Sequence, residues 1–242
     1  QAVDDKNYNR FKDRMEVLTG EIFKDQDINN PQTRNHLEAS VAYLACVATN
    51  NDYHDVSLMI AKKASSNGVM IPQLMFPIPT DFATNFRASA AHSNTPLSLT
   101  LALARRESQF NPNASSNADA HGLMQLIPST ARTEVRVLDG TQSASRFAQD
   151  ARDNLTNPAT NIRLGTSYID SLLDQYGNSS VMAIASYNAG SVDRWVKKSE
   201  DPRKLTTPHE MLNWIEQIPI AETREYVQRV LEGQVAYQGR LT

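Results

Sequence analysis

Apolar residues in this chain recur every three or four positions, in short segments cut apart by proline, glycine and asparagine, and nowhere do they alternate convincingly with polar ones. That period places a stripe on one side of a helix, whereas a half-buried strand needs strict alternation. The pattern predicts an all-α protein. Tyr8, Phe11, Met15, Leu18 and Ile22 form one stripe, over 7–24. Leu37, Val41, Leu44 and Ala48 form a second over 32–49, and Tyr53, Val56, Ile60 and Ala64 a third over 52–66. Asn30-Pro31 and Asn50-Asn51 separate them, and Gly68 closes the third. Three short-linked amphipathic helices predict an antiparallel packing unit or a piece of an α-solenoid, with no named repeat. Pro72, Pro77 and Pro79 then predict an extended apolar connector over 69–79.

A strongly helical segment follows. Thr95 is suited to cap it and Pro96 to be its first helical residue. Leu97, Leu101 and Ala104 give its stripe, widened by Leu99 and Leu103. Pro112 disfavours helix at Asn111, so the helix is expected to stop near Phe110. Glu107 then sits in the last turn. There the negative end of the helix dipole disfavours a carboxylate, and apolar walls would raise its pKa further. That is how a glutamate becomes a general acid near neutral pH. Beyond it, Pro128-Ser129 opens a helix with Ala131, Val135 and Leu138, closed by Asp139-Gly140. Residues 141–156 are polar and read as an irregular loop. Asn157-Pro158 starts a helix with Ile162, Gly165, Ile169, Leu172, Leu173 and Tyr176 on one side, capped by Gly177; Gly165 suggests close helix packing. Residues 179–187 read as a buried core helix. Ser191 opens a short helix with Val192 and Trp195, and Thr207-Pro208-His209-Glu210 is a capping box. A last helix over 220–237 has Val227, Val230, Leu231 and Val235 as its stripe.

Charge excludes one class of partner. The chain has 24 basic and 27 acidic residues and a net charge of −3, no electrostatic footprint for nucleic acid. No apolar run approaches the ~18–20 residues that span a bilayer. Gln1 opens directly into polar sequence without a leader, as a mature or trimmed form would. Cys46 is the single cysteine and lies in an apolar stretch, so it reads as a small buried hydrophobe. The five histidines (His36, His54, His92, His121 and His209) show no metal spacing and read as surface or loop residues. No metal or other cofactor is expected.

Four segments gain meaning together. Glu107-Ser108 precedes N-P, Ser116 and G-L-M-Q at 122–125; A-S-Y-N-A-G stands at 185–190 and I-E-Q-I-P-I-A-E-T-R-E-Y-V at 215–227. In this order they resemble the soluble lytic transglycosylases, over roughly residues 82–240. The resemblance implies a goose-lysozyme-like catalytic domain, 81–242, after a small helical linker domain, 1–80, with Phe76-Pro77-Ile78-Pro79 like the family's connection. It implies a periplasmic enzyme, a monomer, acting on peptidoglycan between N-acetylmuramic acid and N-acetylglucosamine. Glu107 would serve as acid and then as base toward the C6 hydroxyl, giving a 1,6-anhydro product. The alternatives are a hydrolytic muramidase on the same fold and a non-catalytic glycan-binding module.

The resemblance also assigns a substrate-facing set. Ser116 either bonds a sugar substituent or forms a turn. Gln125 presents an amide. Met124 and Ile127 form an apolar wall, although Met124 by itself reads as core. Tyr187 and Asn188 suit ring stacking and a bidentate amide, or else a core tyrosine and a helix cap. Glu216 lies in the cleft, Glu222 complements a helix dipole, and Tyr226 orients Glu107 by a hydrogen bond. Asp119 departs from the pattern, which usually has Gly there; Asp tolerates left-handed backbone better than most residues.

Overall fold

The computed structural model describes residues 5–196, 201–205 and 207–242. Among them there is no strand, only isolated bridges pairing His121 with Ser115 and with Leu126. The chain divides into two compact units, Gln1–Pro79 and Thr80–Thr242.

In the first unit α1 (Asp5–Glu21), α2 (Pro31–Thr49) and α3 (His54–Ser66) pack through the three stripes. The Asn30 side chain caps α2 by accepting from the amides of Gln32 and Thr33, with Pro31 at the first position. Gly68 has φ +83°, and a Cβ there would meet Ile28 Cδ1 at 2.6 Å, so the turn after α3 requires glycine. Three expectations are corrected. The connector contains one helical turn, α4 (Pro72–Met75), because proline at a first helical position gives up no needed N–H. Cys46 is exposed, since Ala45 and Ala48 occupy the buried side of α2 and Cys46 does not. His54 is buried at the start of α3, packed inward with Val56 and Ser57.

The second unit is built around α6. Its helices are α5 (Thr80–Ala91), α6 (Leu97–Glu107), α7 (Pro128–Asp139), α8 (Thr141–Phe147), α9 (Ala151–Thr156), α10 (Pro158–Gln175), α11 (Ser180–Ala189), α12 (Asp193–Val196), α13 (Pro208–Glu216) and α14 (Ala221–Leu241). Every residue of α6 from Ser98 to Ala104 is buried, so it is a core helix rather than an amphipathic one. It packs mainly against α14. Gly233 makes this approach possible, because a Cβ there would stand 3.2 Å from Ala102 Cβ.

The segment 141–156 is helical, not a loop. Ala144 and Phe147 of α8 and Leu155 of α9 bury in one cluster with Ala131 and Val135 of α7, too few residues on each helix to make a long stripe. Thr95 does not cap α6; Pro96 holds the cap position, and the Thr95 hydroxyl donates to Asp170 Oδ1 at 3.1 Å. Tyr176 is the cap of α10, with Gly177 following at φ +58°. On α14 the buried face runs Thr223, Tyr226, Val227, Val230, Gly233 and Tyr237, which leaves Val235 exposed one face over. Leu138, at the end of its stripe, and Leu18, within its own, are likewise exposed.

Gly165 faces the Met124 side chain rather than a neighbouring helix: a Cβ would fall 2.5 Å from its Sδ and 2.7 Å from its Cβ. Gly165→Ala is expected to cost ~1–3 kcal/mol by overpacking, read as a lowered denaturant midpoint beside the parent chain. An unchanged midpoint would mean that Met124 moves aside without cost.

Candidate active site

Glu107 is the last residue of α6, and the chain turns back immediately after it. Ser108 makes the turn. Its hydroxyl donates to the Leu123 carbonyl at 2.8 Å and accepts the Phe110 amide at 3.1 Å. Gln109 and Phe110 take left-handed φ of 55° and 66°. This stops the helix three residues before the expected Phe110, which is instead wholly buried edge-on to Phe86. Ser108 stood in the motif without a role, because the helix was expected to run past it to Phe110.

The Glu107 carboxyl is largely shielded from water and accepts a hydrogen bond at Oε1 from the Tyr226 hydroxyl. Burial pushes its pKa up from 4.5 to about 7, against the Tyr226 hydrogen bond and the Arg106 charge, which both lower it. Arg106 lies over the Tyr226 ring, 5.8 Å from its centre. The acid is therefore poised between its two protonation states near neutral pH.

Residues 113–126 form a compact loop beside this turn. The Ser116 hydroxyl oxygen accepts the Ala118 and Ala120 amides at 3.2 and 3.1 Å, so Ser116 shapes the turn. Asp119 adopts φ +61°, and its carboxylate is taken by Arg152 and by His121 Nε2 at 2.7 Å. Arg152 first and His121 second hold its pKa below the usual carboxylate range. At the base of the loop, Asn161 is wholly buried. Its Oδ1 accepts the Met124 amide at 2.7 Å, and its Nδ2 donates to the carbonyls of His121 and Leu155 at 2.8 and 2.9 Å. The sequence reading passed over Asn161, although it stands four residues before Gly165 on the inward side of α10.

The structure brings only part of the substrate-facing set to an open surface. Met124 is fully buried, so its side chain cannot form a wall; packing on Gly165 consumes it. Gln125, at φ +48°, donates both of its amide hydrogen bonds inward, to the carbonyls of Ala114 and Gly122 at 3.0 Å each. Its carbonyl oxygen is what the side chain has left to offer. Ile127 is exposed just before α7. The Tyr187 hydroxyl donates to the Met124 carbonyl at 2.8 Å, and its ring lies 5.0 Å from that of Tyr168. Burial and then the Glu107 charge keep the Tyr187 hydroxyl protonated.

Two further residues converge on α14, the helix that supplies Tyr226. Asn188 Oδ1 accepts from Thr223 at 2.7 Å, and Glu216 Oε1 accepts from Gln228 at 2.7 Å; both are exposed. One more buried carboxyl escaped the sequence reading. Glu134 accepts from Ser167 at 2.6 Å, and burial raises its pKa. Among the described residues no three histidine, cysteine or acidic side chains are placed to hold a metal. No described helix is long and apolar enough to cross a membrane.

Residues 84–208 match the family model of the transglycosylase SLT domain. The chain is 32% identical over 199 residues to the soluble lytic murein transglycosylase of Escherichia coli K12, covering 81% of this chain and 28% of that protein. It is 32% identical over 175 residues to the membrane-bound lytic murein transglycosylase C of Yersinia enterocolitica, covering 63% of this chain and 45% of the relative. The crystal structure of the 70 kDa soluble lytic transglycosylase from Escherichia coli superposes with a TM-score of 0.67 at 30% identity, over 84% of this chain and 31% of that one. The chain thus spans under half the length of these proteins.

The raised pKa has a consequence for folding. Between pH 4.5 and about 7 the folded chain holds a proton on Glu107 that the unfolded chain has released. The stability Glu107 contributes is full below that window and is lost as pH rises through it. Glu107→Gln should therefore match the parent in stability at pH 4 and exceed it at pH 8 by on the order of 1–3 kcal/mol. Equal stability at both pH values would place the carboxyl in solvent.

Proposed function

The chain belongs to the transglycosylase SLT domain family, and from that premise we propose that it cleaves peptidoglycan by lytic transglycosylation. The bond is the β-1,4 linkage between N-acetylmuramic acid and N-acetylglucosamine, and the compartment is the periplasm, where that polymer lies. The observation that carries this reading is the buried Glu107 carboxyl, its pKa raised to about 7 at the end of α6.

Protonated Glu107 donates its proton to the glycosidic oxygen as the C1–O bond breaks. The N-acetyl group of the muramic acid residue shares the positive charge left on C1. Glu107, now a carboxylate, takes the proton of the C6 hydroxyl as O6 bonds to C1. A 1,6-anhydro ring results, the acid is regenerated, and no water is consumed. Tyr226 suits this cycle, because its hydrogen bond favours the ionised form reached halfway.

Hydrolysis by a carboxylate pair needs a second acid roughly 5–5.5 or 6.5–9.5 Å from the first. Asp119 is held by Arg152 and His121, and Glu216 accepts from Gln228 on the solvent side, so neither is a ready base. We assign Tyr187, Asn188, Glu216, Ile127, the Gln125 carbonyl and the Ser116 hydroxyl to the glycan. All of these lie in Thr80–Thr242. That unit is the enzyme in this reading, with the first unit as its support. A chain starting near Pro79 is expected to keep the cleavage chemistry; a folded but inert truncation would give the first unit a share in the site.

Digestion of purified sacculi in water enriched in heavy oxygen tests the reaction. Unlabelled muropeptides with anhydro ends are expected, and Glu107→Gln should slow their release by roughly 10²–10⁴-fold. Labelled reducing ends would make the protein a muramidase, and binding without turnover a glycan-binding module. Tyr226→Phe removes a hydrogen bond that lowers the Glu107 pKa, so the basic limb of the pH–rate profile should move to higher pH. A limb that stays in place would detach Tyr226 from the acid.

A further inference from the structure

The loop over 113–126 is tied to the rest of its unit at two places of opposite character. Its base is fixed by Asn161, wholly buried and with three hydrogen bonds. Its tip is fixed by Arg152 of α9, whose Nε donates to Asp119 Oδ1 at 2.8 Å and whose Nη2 donates to Oδ2 at 3.0 Å. This two-pronged ion pair is solvated, with side chains 69% and 44% exposed. A solvated pair of this kind adds little to global stability. It is geometrically specific, however, because a planar guanidinium fork matches one carboxylate orientation.

The turn that it grips is the one that shapes Ser116. Asp119 stands at φ +61° between Ala118 and Ala120, whose amides are the two donors to the Ser116 oxygen. With both lone pairs engaged, the hydroxyl hydrogen is what Ser116 has left to give a sugar acceptor. His121 joins tip to base: its ring touches Asp119, while its carbonyl is held by Asn161.

We propose that Arg152 is a positioning residue for the glycan, acting through Asp119 to hold the Ser116 turn in its binding shape. This rests on the reading of the site as a glycan-cleaving cleft. Glu107 is shifted by burial, Tyr226 and Arg106 and not by Arg152 or Asp119, so the clasp governs substrate affinity and leaves proton transfer alone. It also accounts for an aspartate at a left-handed position that glycine would occupy without strain: the carboxylate gives α9 something to grip.

The test is a double-mutant cycle on soluble, uncrosslinked peptidoglycan strands, with KM and kcat measured separately. Arg152→Ala is expected to raise KM about fivefold with kcat within about twofold. In an Asp119→Gly background, where the turn needs no partner, the same substitution should change KM by less than about twofold. Arg163→Ala breaks another exposed two-pronged pair, with Asp139, away from the loop, and should leave KM unchanged. Arg152→Lys keeps the charge without the fork and should lie between parent and alanine; it carries the test should the alanine variant not fold. The proposal is overturned by a KM unmoved in Arg152→Ala, by an equal effect in both backgrounds, or by a fall in kcat that matches the fall in kcat/KM. A parent chain that leaves the strands intact would instead overturn the reading of the site itself.

Discussion

The second unit is organised by one carboxyl group that its fold keeps from water. Glu107 ends a helix whose residues from Ser98 to Ala104 are all buried, and its carboxyl accepts a hydrogen bond from Tyr226, 119 residues further on. Burial raises its pKa more than the hydroxyl and Arg106 lower it, and the balance falls at about 7. Neither influence is local. The burial needs α14 packed on α6, which Gly233 permits by coming close to Ala102. The hydrogen bond needs the same helix in the same register. A shift of α14 by one residue would turn Tyr226 off the buried face and leave Glu107 an ordinary helix-end acid.

What surrounds the acid is held by side chains that grip backbone groups. Ser108 ties the turn after Glu107 to Leu123; Asn161 ties Met124 and His121 to α10; Tyr187 ties the Met124 carbonyl to α11. Gly122, Gln125 and Asp119 all take left-handed φ, so the loop is set by a network of hydrogen bonds that compensates for unfavourable backbone. Such a loop presents few free side-chain groups. That explains why Met124 and the Gln125 amide nitrogen, both quoted in the motif, face inward.

Helix boundaries were the most legible part of the sequence where a local chemical signal marks them. Asn157-Pro158 and the Thr207–Glu210 box each cap a helix with the side chains anticipated, and Asn30-Pro31, read only as a break between helices, caps α2. Thr95 misled because the helix starts one residue later than expected, with Pro96 at the cap position, which leaves the Thr95 hydroxyl to donate to Asp170. The segment 141–156 misled because α8 and α9 are too short to show a period. Cys46 and His54 were misplaced for a related reason: a helical stripe fixes a face to within about a residue, and each stands at the edge of one. For the site, the carboxyl at a helix end was readable from Pro112 and the stripe before it. Its partner on α14 came only through the family resemblance, since nothing local in residues 220–237 points to residue 107. Asn161, Ser108 and Glu134 were missed because what makes them matter is burial against remote backbone or hydroxyl groups, which no spacing encodes.

The account turns on whether Glu107 is an acid near neutral pH in the free protein. Carbon-13 labelling of the glutamate carboxyls, with Glu107→Gln to identify the signal, lets that one group be titrated directly by NMR. The account predicts a midpoint near 7, well apart from the exposed glutamates. A midpoint close to 4.5 would mean that water reaches the carboxyl, and would contradict the burial from which the site is built.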